Sequence, residues 1–271
     1  GLGGEGILRT HQRDPDARQV IEEALRQGIR YCDSARAYAG SESYYGQVWR
    51  QSPRDREEVF QTSKSAMRDR EGARGDLDRT LANLGIGRLD LWQIHDLRTR
   101  EDLYQIAGPG GALEAFVEAK AEGLTRLIGV TGHHDPDILT QAVREWPVDA
   151  VMLPVNPVEG ALGGFLDETL PAALEKGLAV IGMKVLGASH YLAPQAGVDA
   201  GLLIRFALSF PLSVAIVGCS TPAHVRTLAV AARDGQTLND TERDQLIERF
   251  RPAAARLSFY RGARQHLDGR M

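Results

Sequence analysis

Short apolar or β-branched runs alternate along this chain with longer stretches whose apolar residues recur at helical spacing. The first full cycle predicts a helix over 16–27, with Val20, Ile21, Ala24 and Leu25 on one face. Gly28 closes it, as a glycine just past a helix often does, and a strand follows over 29–33. Further strands are predicted at 59–63, 88–95, 127–131, 148–153, 179–184 and 214–217. Helices fall at 76–84, where Leu77, Leu81 and Leu84 are helically spaced, and at 113–122, ending on Gly123. Others are expected at 135–145, with a proline in the first turn, and at 165–176, 201–210 and 222–232. Residues 1–4 read as a frayed, incomplete first strand. About eight strand–helix units result, the number a closed (β/α)8 TIM barrel requires. Strands alternating with helices imply parallel pairing through right-handed crossovers.

No linker rich in Pro, Gly or Ser and no charge block divides the chain, so a single domain over 1–271 is expected. Its last part, 239–271, would add a helix at 240–249 and a polar, arginine-rich tail. An open, doubly wound sheet is the rival architecture, because Gly1, Gly3 and Gly6 spell G-x-G-x-x-G. That fingerprint requires an apolar helix directly after it. Here polar residues 9–14 and Pro15 follow, so a tight corner at the end of the first strand explains these glycines better.

With 43% hydrophobic residues among 271, the chain can bury a sizeable core. A formal net charge of −4 offers no basic footprint for nucleic acid. No run approaches the roughly 20 apolar residues of a membrane helix. No signal peptide stands at Gly1, and Cys32 and Cys219 form neither a C-x-x-C pair nor a disulfide framework. A reducing cytoplasm is therefore the expected compartment, with both thiols as buried filler. The pattern carries no information on oligomeric state.

Barrel enzymes place their working residues at the C-terminal ends of strands and in the loops beyond. Four polar residues occupy such positions: Asp33 after the second strand, Tyr38 in the next loop, Lys64 after the third and His95 after the fourth. Each alone is explained as a solvated strand end or a packed loop. Together they compose a proton-donor system. A phenol is a poor acid at neutral pH, with a reference pKa near ~10. A neighbouring ammonium lowers that value, and a carboxylate beside it would keep the ammonium in place. The imidazole can hydrogen-bond a substrate carbonyl and turn it toward the phenol.

Here the sequence resembles the aldo-keto reductase superfamily. Asp33-Ser34-Ala35-Arg36-Ala37-Tyr38-Ala39-Gly40-Ser41-Glu42 resembles its D-T-A-x-x-Y-G-x-S-E signature. Gln61-Thr62-Ser63-Lys64 and Leu89-Asp90-Leu91-Trp92-Gln93-Ile94-His95 resemble the strands that carry its lysine and histidine. Leu81 and Leu84-Gly85 match the helix between them, and the likeness extends over nearly the whole chain. The resemblance implies carbonyl reduction, or oxidation of the matching alcohol, with a nicotinamide cofactor, usually NADP, bound without a Rossmann domain. Tyr38 would protonate the substrate oxygen, Lys64 lower the phenol pKa, Asp33 pair with Lys64, and His95 position the carbonyl of a small-molecule substrate.

The cofactor end departs from the family's pattern. In Gly129-Val130-Thr131-Gly132-His133, Thr131 keeps a hydroxyl, but Gly132 lacks the amide of the family's G-V-S-N-H. Met152 replaces a carboxamide-binding glutamine, and Met183 the aromatic that stacks on nicotinamide. Lys184-Val185-Leu186-Gly187 stands for S-P-L-G, with Leu186 kept and Lys184 either a phosphate partner or a solvated rim lysine. Gly218-Cys219-Ser220-Thr221-Pro222 resembles the phosphate-binding turn, whose helix would offer its N-terminus to the pyrophosphate. The adenine-reading E-N is Thr227-Leu228, and His224 replaces the residue that grips the 2′-phosphate, so NAD stays open beside NADP. These departures keep alive an alternative: a non-catalytic cofactor-binding sensor or regulatory subunit on the same fold. His133 and His134 are adjacent and expected to diverge on a loop, with no further ligand at suitable spacing, so no metal site is expected. Arg98, Arg100 and the segment to Pro109 are expected to form a long loop that shapes the substrate mouth.

Overall fold

Nine parallel strand segments, in the order β8-β7-β6-β5-β4-β3-β2-β1-β9, form the barrel of the computed structural model, which describes residues 1–262. They are β1 (Leu2–Gly6), β2 (Tyr31–Cys32), β3 (Phe60–Ser65), β4 (Leu89–Ile94), β5 (Thr125–Thr131), β6 (Ala150–Pro154), β7 (Ala179–Met183), β8 (Val214–Ala215) and β9 (Val217–Cys219). The last two are halves of one strand position, interrupted at Ile216, whose N–H still reaches the Gly182 carbonyl at 2.8 Å. β8 pairs with β7 and β9 with β1, which closes the ring into the (β/α)8 barrel that the alternation predicted.

The glycines of the G-x-G-x-x-G string serve that closure. Gly6 adopts φ +74°, and a Cβ there would lie 2.7 Å from the Cys219 carbonyl oxygen. β1 can thus turn tightly against β9, and the next element is a short 3-10 turn, Ile7–Arg9, not an apolar helix.

The helix before β4 spans Arg70–Leu84, six residues longer at its start than its leucines alone require, because the Asp69 side chain caps it by accepting from the Gly72 N–H at 2.7 Å. Gly85, in the left-handed region, ends it. Two expectations change. The segment after Thr99 is not a long loop: Thr99 and Asp102 form a reciprocal capping box that starts the helix Arg100–Ala107. The helix expected at 165–176 is a π turn, Phe165–Thr169, followed by Leu170–Glu175, since Gly163 and Gly164 precede it and Pro171 sits inside. Pattern reading also passed over the helix Ser41–Gln51, which begins inside the D-S-A-R-A-Y-A-G-S-E stretch.

Leu91, Ala150, Met152, Ile181, Met183 and Ile216 fill the barrel interior, while a larger apolar layer, including Trp92, Phe116 and Phe206, seals barrel against helices. Cys32 and Cys219 are buried free thiols, each pushed up to about 12 by burial, which makes them inert filler. The expected helix at 240–249 forms as Asp240–Phe250. Beyond it the chain crosses back over the barrel, Tyr260 becoming fully buried; residues 263–271 of the expected tail lie outside the described residues. Among the described residues no helix is long and apolar enough to cross a membrane.

Candidate active site

All strands are parallel, so their C-terminal ends open on one face, and Asp33, Lys64 and His95 lie at three adjacent ends of it. The Asp33 carboxylate is buried. One oxygen accepts from the Gly4 N–H at 3.2 Å; the other accepts from the Thr62 hydroxyl at 3.1 Å and the Lys64 ammonium at 2.5 Å. Lys64 also donates to the Ser34 carbonyl at 2.9 Å, and the two paired side chains are only 1% and 2% exposed. Burial of that degree holds the ion pair in one geometry.

Tyr38 stands on the turn between Ala35 and the helix Ser41–Gln51, its N–H bonded to the Ala35 carbonyl at 3.0 Å. Its ring lies 4.9 Å from the Lys64 Nζ and meets the His95 imidazole edge-on at 5.4 Å between centroids. Gly4 makes room for it: a Cβ there would come within 2.5 Å of the ring. The four residues singled out from the sequence are therefore brought together. Among the described residues the Tyr38 hydroxyl makes no hydrogen bond, and Lys64 faces its ring while bonding Asp33.

The electrostatics differ from expectation. Burial first, and the Asp33 charge second, push the Tyr38 phenol well above 10, so the net shift is upward where a lowering by Lys64 was expected. Burial and the Lys64 charge hold His95 well below 6.5, so at neutral pH it is an uncharged imidazole able to donate one N–H. Tyr38 is thus a protonated phenol and His95 a neutral donor, the forms needed to protonate and orient a carbonyl oxygen.

Glu42, the last residue of the motif, acts behind the site. It is buried and accepts from Ser63 and Thr80 hydroxyls at 2.7 Å each, from Asn83 at 3.0 Å and from Arg36 at 2.7 Å. It ties β3, which carries Lys64, to the helices around it.

Thr131 ends β5, its hydroxyl accepting from the Asp96 N–H at 2.8 Å. Met152 is buried inside the barrel and Met183 caps the same cluster from the end of β7. Lys184 follows in the left-handed region, φ +55°, a strained conformation for a side-chain-bearing residue. It is half-buried with no ion-pair partner among the described residues, its Nζ 6.0 Å from the Tyr260 ring centroid. Burial pulls its ammonium down. Leu186 is half-buried two residues on. Gly218 lies in β9, and Ser220, Thr221 and His224 are exposed at the N-terminus of the helix Pro222–Arg233. The Thr221 hydroxyl caps that helix by accepting from the His224 N–H at 3.3 Å.

Sequence reasoning missed a hub beside the mouth. Asp96, at φ +61°, anchors its carbonyl on Arg68 at 2.6 Å and one carboxylate oxygen on Arg98 at 2.7 Å. His133 and His134 do not diverge: their ring centroids are 4.4 Å apart and both point Nε2 at the other oxygen of Asp96. Glu159, Tyr260 and Arg261 were missed too; Tyr260 donates to Glu159 at 2.7 Å and pins the returning chain to the helix Pro157–Leu162. The aromatic pair Phe259-Tyr260 so late in a polar stretch was the available signal.

Residues 1–194 match the aldo/keto reductase family. An aldo-keto reductase from Mycobacterium marinum is 32% identical over 140 residues, which is 48% of this chain and 43% of that protein. The chain spans about half the length of the curated relatives it matches. An aldo-keto reductase from Bacillus halodurans, in its holo form, superposes with a TM-score of 0.76 at 19% identity, covering 92% of this chain and 90% of that one. One from Klebsiella pneumoniae in complex with NADPH gives 0.75 at 20% identity, covering 93% and 90%. At such identities these structures speak to the fold alone.

Proposed function

The chain belongs to the aldo/keto reductase family, and from that premise we propose that it is an NADP(H)-dependent oxidoreductase. It reduces an aldehyde, ketone or sugar carbonyl, or oxidises the matching alcohol, with Tyr38 as the proton donor; NAD(H) is the alternative dinucleotide. One observation carries this reading: a phenol at the barrel mouth, 4.9 Å from a buried ammonium and 5.4 Å from a neutral imidazole.

The donor set fits a dinucleotide. Ser220, Thr221 and the N-terminus of the helix Pro222–Arg233 suit a phosphate, with His224 in the same turn and Gly218 leading into it. The Lys184 ammonium suits a second phosphate, while Thr131, Met152, Met183 and Leu186 would border the nicotinamide end. When bound, such a cofactor supplies the hydride.

The protein's own residues handle the oxygen. His95 donates a hydrogen bond from its neutral ring and aims the carbonyl at Tyr38. Tyr38 then gives its hydroxyl proton to the oxygen as negative charge develops there. Lys64, held by Asp33 and Ser34, stabilises the phenolate left behind. Asp33 fixes the ammonium and balances its charge between turnovers. A reducing cytoplasm is the proposed compartment, which suits two buried free thiols.

Tyr38→Phe tests the assignment. Following NADPH absorbance with an aromatic aldehyde, turnover should fall about 10²–10⁴-fold, the usual contribution of a positioned acid. NADPH affinity, read by fluorescence titration, should be unchanged. Turnover at the parent rate in the variant rejects Tyr38 as the acid.

A further inference from the structure

We propose that Asp96, His133 and His134 form a binding site for one divalent first-row transition ion, of the zinc or cobalt kind, beside the barrel mouth. The inference does not depend on carbonyl reduction. The ligand atoms of these three residues all lie within 4.8 Å of one another. Asp96 Oδ1 is 3.0 Å from His134 Nε2 and 3.3 Å from His133 Nε2. Donors bound at about 2.0–2.2 Å to one ion stand roughly 3.0–3.5 Å apart across tetrahedral or octahedral angles. The two separations to Asp96 Oδ1 therefore match a coordination polyhedron's edges.

The 3.0 Å separation also lies within hydrogen-bond range, so direction and not distance separates the two readings. Asp96 Oδ1 and His134 Nε2 are buried and have no hydrogen-bond partner among the described residues, because the approach directions are wrong for one. His134 is 8% exposed, so water does not readily satisfy that nitrogen. Two imidazole nitrogens and a carboxylate oxygen converging without donor geometry is the arrangement a shared cation resolves. Two nitrogens and one oxygen also make a borderline donor set suited to zinc, cobalt or iron rather than to magnesium or calcium.

The surroundings hold the ligands in place. Arg98 takes only the Oδ2 oxygen of Asp96, at 2.7 Å, and leaves Oδ1 to the histidines. The Asp96 backbone is locked at φ +61° by bonds to Thr131 at 2.8 Å and Arg68 at 2.6 Å. Gly262 donates to the His134 carbonyl at 3.0 Å. Such outer contacts orient ligands before the metal arrives. Three protein ligands leave at least one position of a tetrahedral ion for water or a substrate oxygen.

The experiment uses tag-free protein stripped with a chelator and titrated with cobalt(II) chloride, followed by calorimetry and visible absorption. One cobalt per chain, with ligand-field bands that zinc abolishes by displacement, is the expected result. His133→Gln and His134→Gln should each weaken binding at least about 100-fold, and Arg98→Ala, which removes no ligand, about 10–100-fold. His11→Gln, at an exposed histidine elsewhere, should change nothing. Circular dichroism checks that each variant folds; if His134→Gln does not, His133→Gln decides. Absence of stoichiometric uptake by the parent protein, or equal affinity in the His133 variant, overturns the proposal.

Discussion

Replacing Lys64 with methionine keeps most of the side-chain volume and removes the ammonium from a position 1% exposed. Asp33, itself 2% exposed, is left with the Gly4 N–H and the Thr62 hydroxyl as its partners. Removing one member of a buried ion pair costs about 3–5 kcal/mol, most of it the uncompensated charge that stays behind. Two surviving donors soften this, so about 3 kcal/mol is expected for Lys64→Met, a large share of the ~5–15 kcal/mol that holds a domain together. Asp33→Asn should cost a similar amount, since Lys64 would keep only neutral acceptors, the amide oxygen and the Ser34 carbonyl, and no counter-charge. The double variant strands no charge. Its loss should therefore fall short of the summed single losses by at least about 2 kcal/mol. Urea unfolding, with the midpoint read at constant m-value, measures all four proteins. A Lys64→Met loss below about 0.5 kcal/mol, or strict additivity in the double variant, would refute the claim that these two charges hold each other in place.

The same kinds of contact set three further outcomes. Tyr38→Phe should leave the urea midpoint unchanged, because its hydroxyl bonds nothing among the described residues, so a loss of turnover there cannot be a loss of fold. Gly46→Ala should destabilise by about 1–3 kcal/mol, because a Cβ at Gly46 would stand 2.0 Å from the Asn83 carbonyl oxygen; an unchanged urea midpoint contradicts the close helix crossing. His95 is held below its ordinary value in the folded chain, so the unfolded chain takes up a proton first as pH falls. Its share of stability is complete above pH ~6.5 and is lost on acidification, at up to about 1.4 kcal/mol per pH unit. His95→Gln should flatten the dependence of stability on pH between 6.5 and 5 by about that slope; an identical pH profile in the variant would show that the imidazole is not desolvated.

The barrel was legible because its signal is local and repeated. Val20, Ile21 and Ala24 are apolar at helical spacing, and all are buried in the structure. What pattern reading missed was short-range capping and covering. The Thr99–Asp102 box makes a helix of a stretch with little apolar periodicity. The helix Ser41–Gln51 hides because it buries Ser41 and Glu42 along with its apolar face. Cooperation between Asp96 and the two histidines was illegible for a different reason: thirty-seven positions separate Asp96 from His133, and only the adjacent ends of β4 and β5 bring them together.

By itself the sequence determined the alternation of strands and helices, and the four residues that stand at strand ends or just beyond. Those properties depend on residue type and spacing along the chain, and both are written there. Only the tertiary structure decided the state of the phenol. Proton affinity depends on burial and on the net field of every charge within reach, and burial first, with the Asp33 charge second, reversed the sign expected from the lysine alone. It decided the convergence of Asp96 with His133 and His134 for the same reason, since distance in space is set by strand order and not by position in the chain.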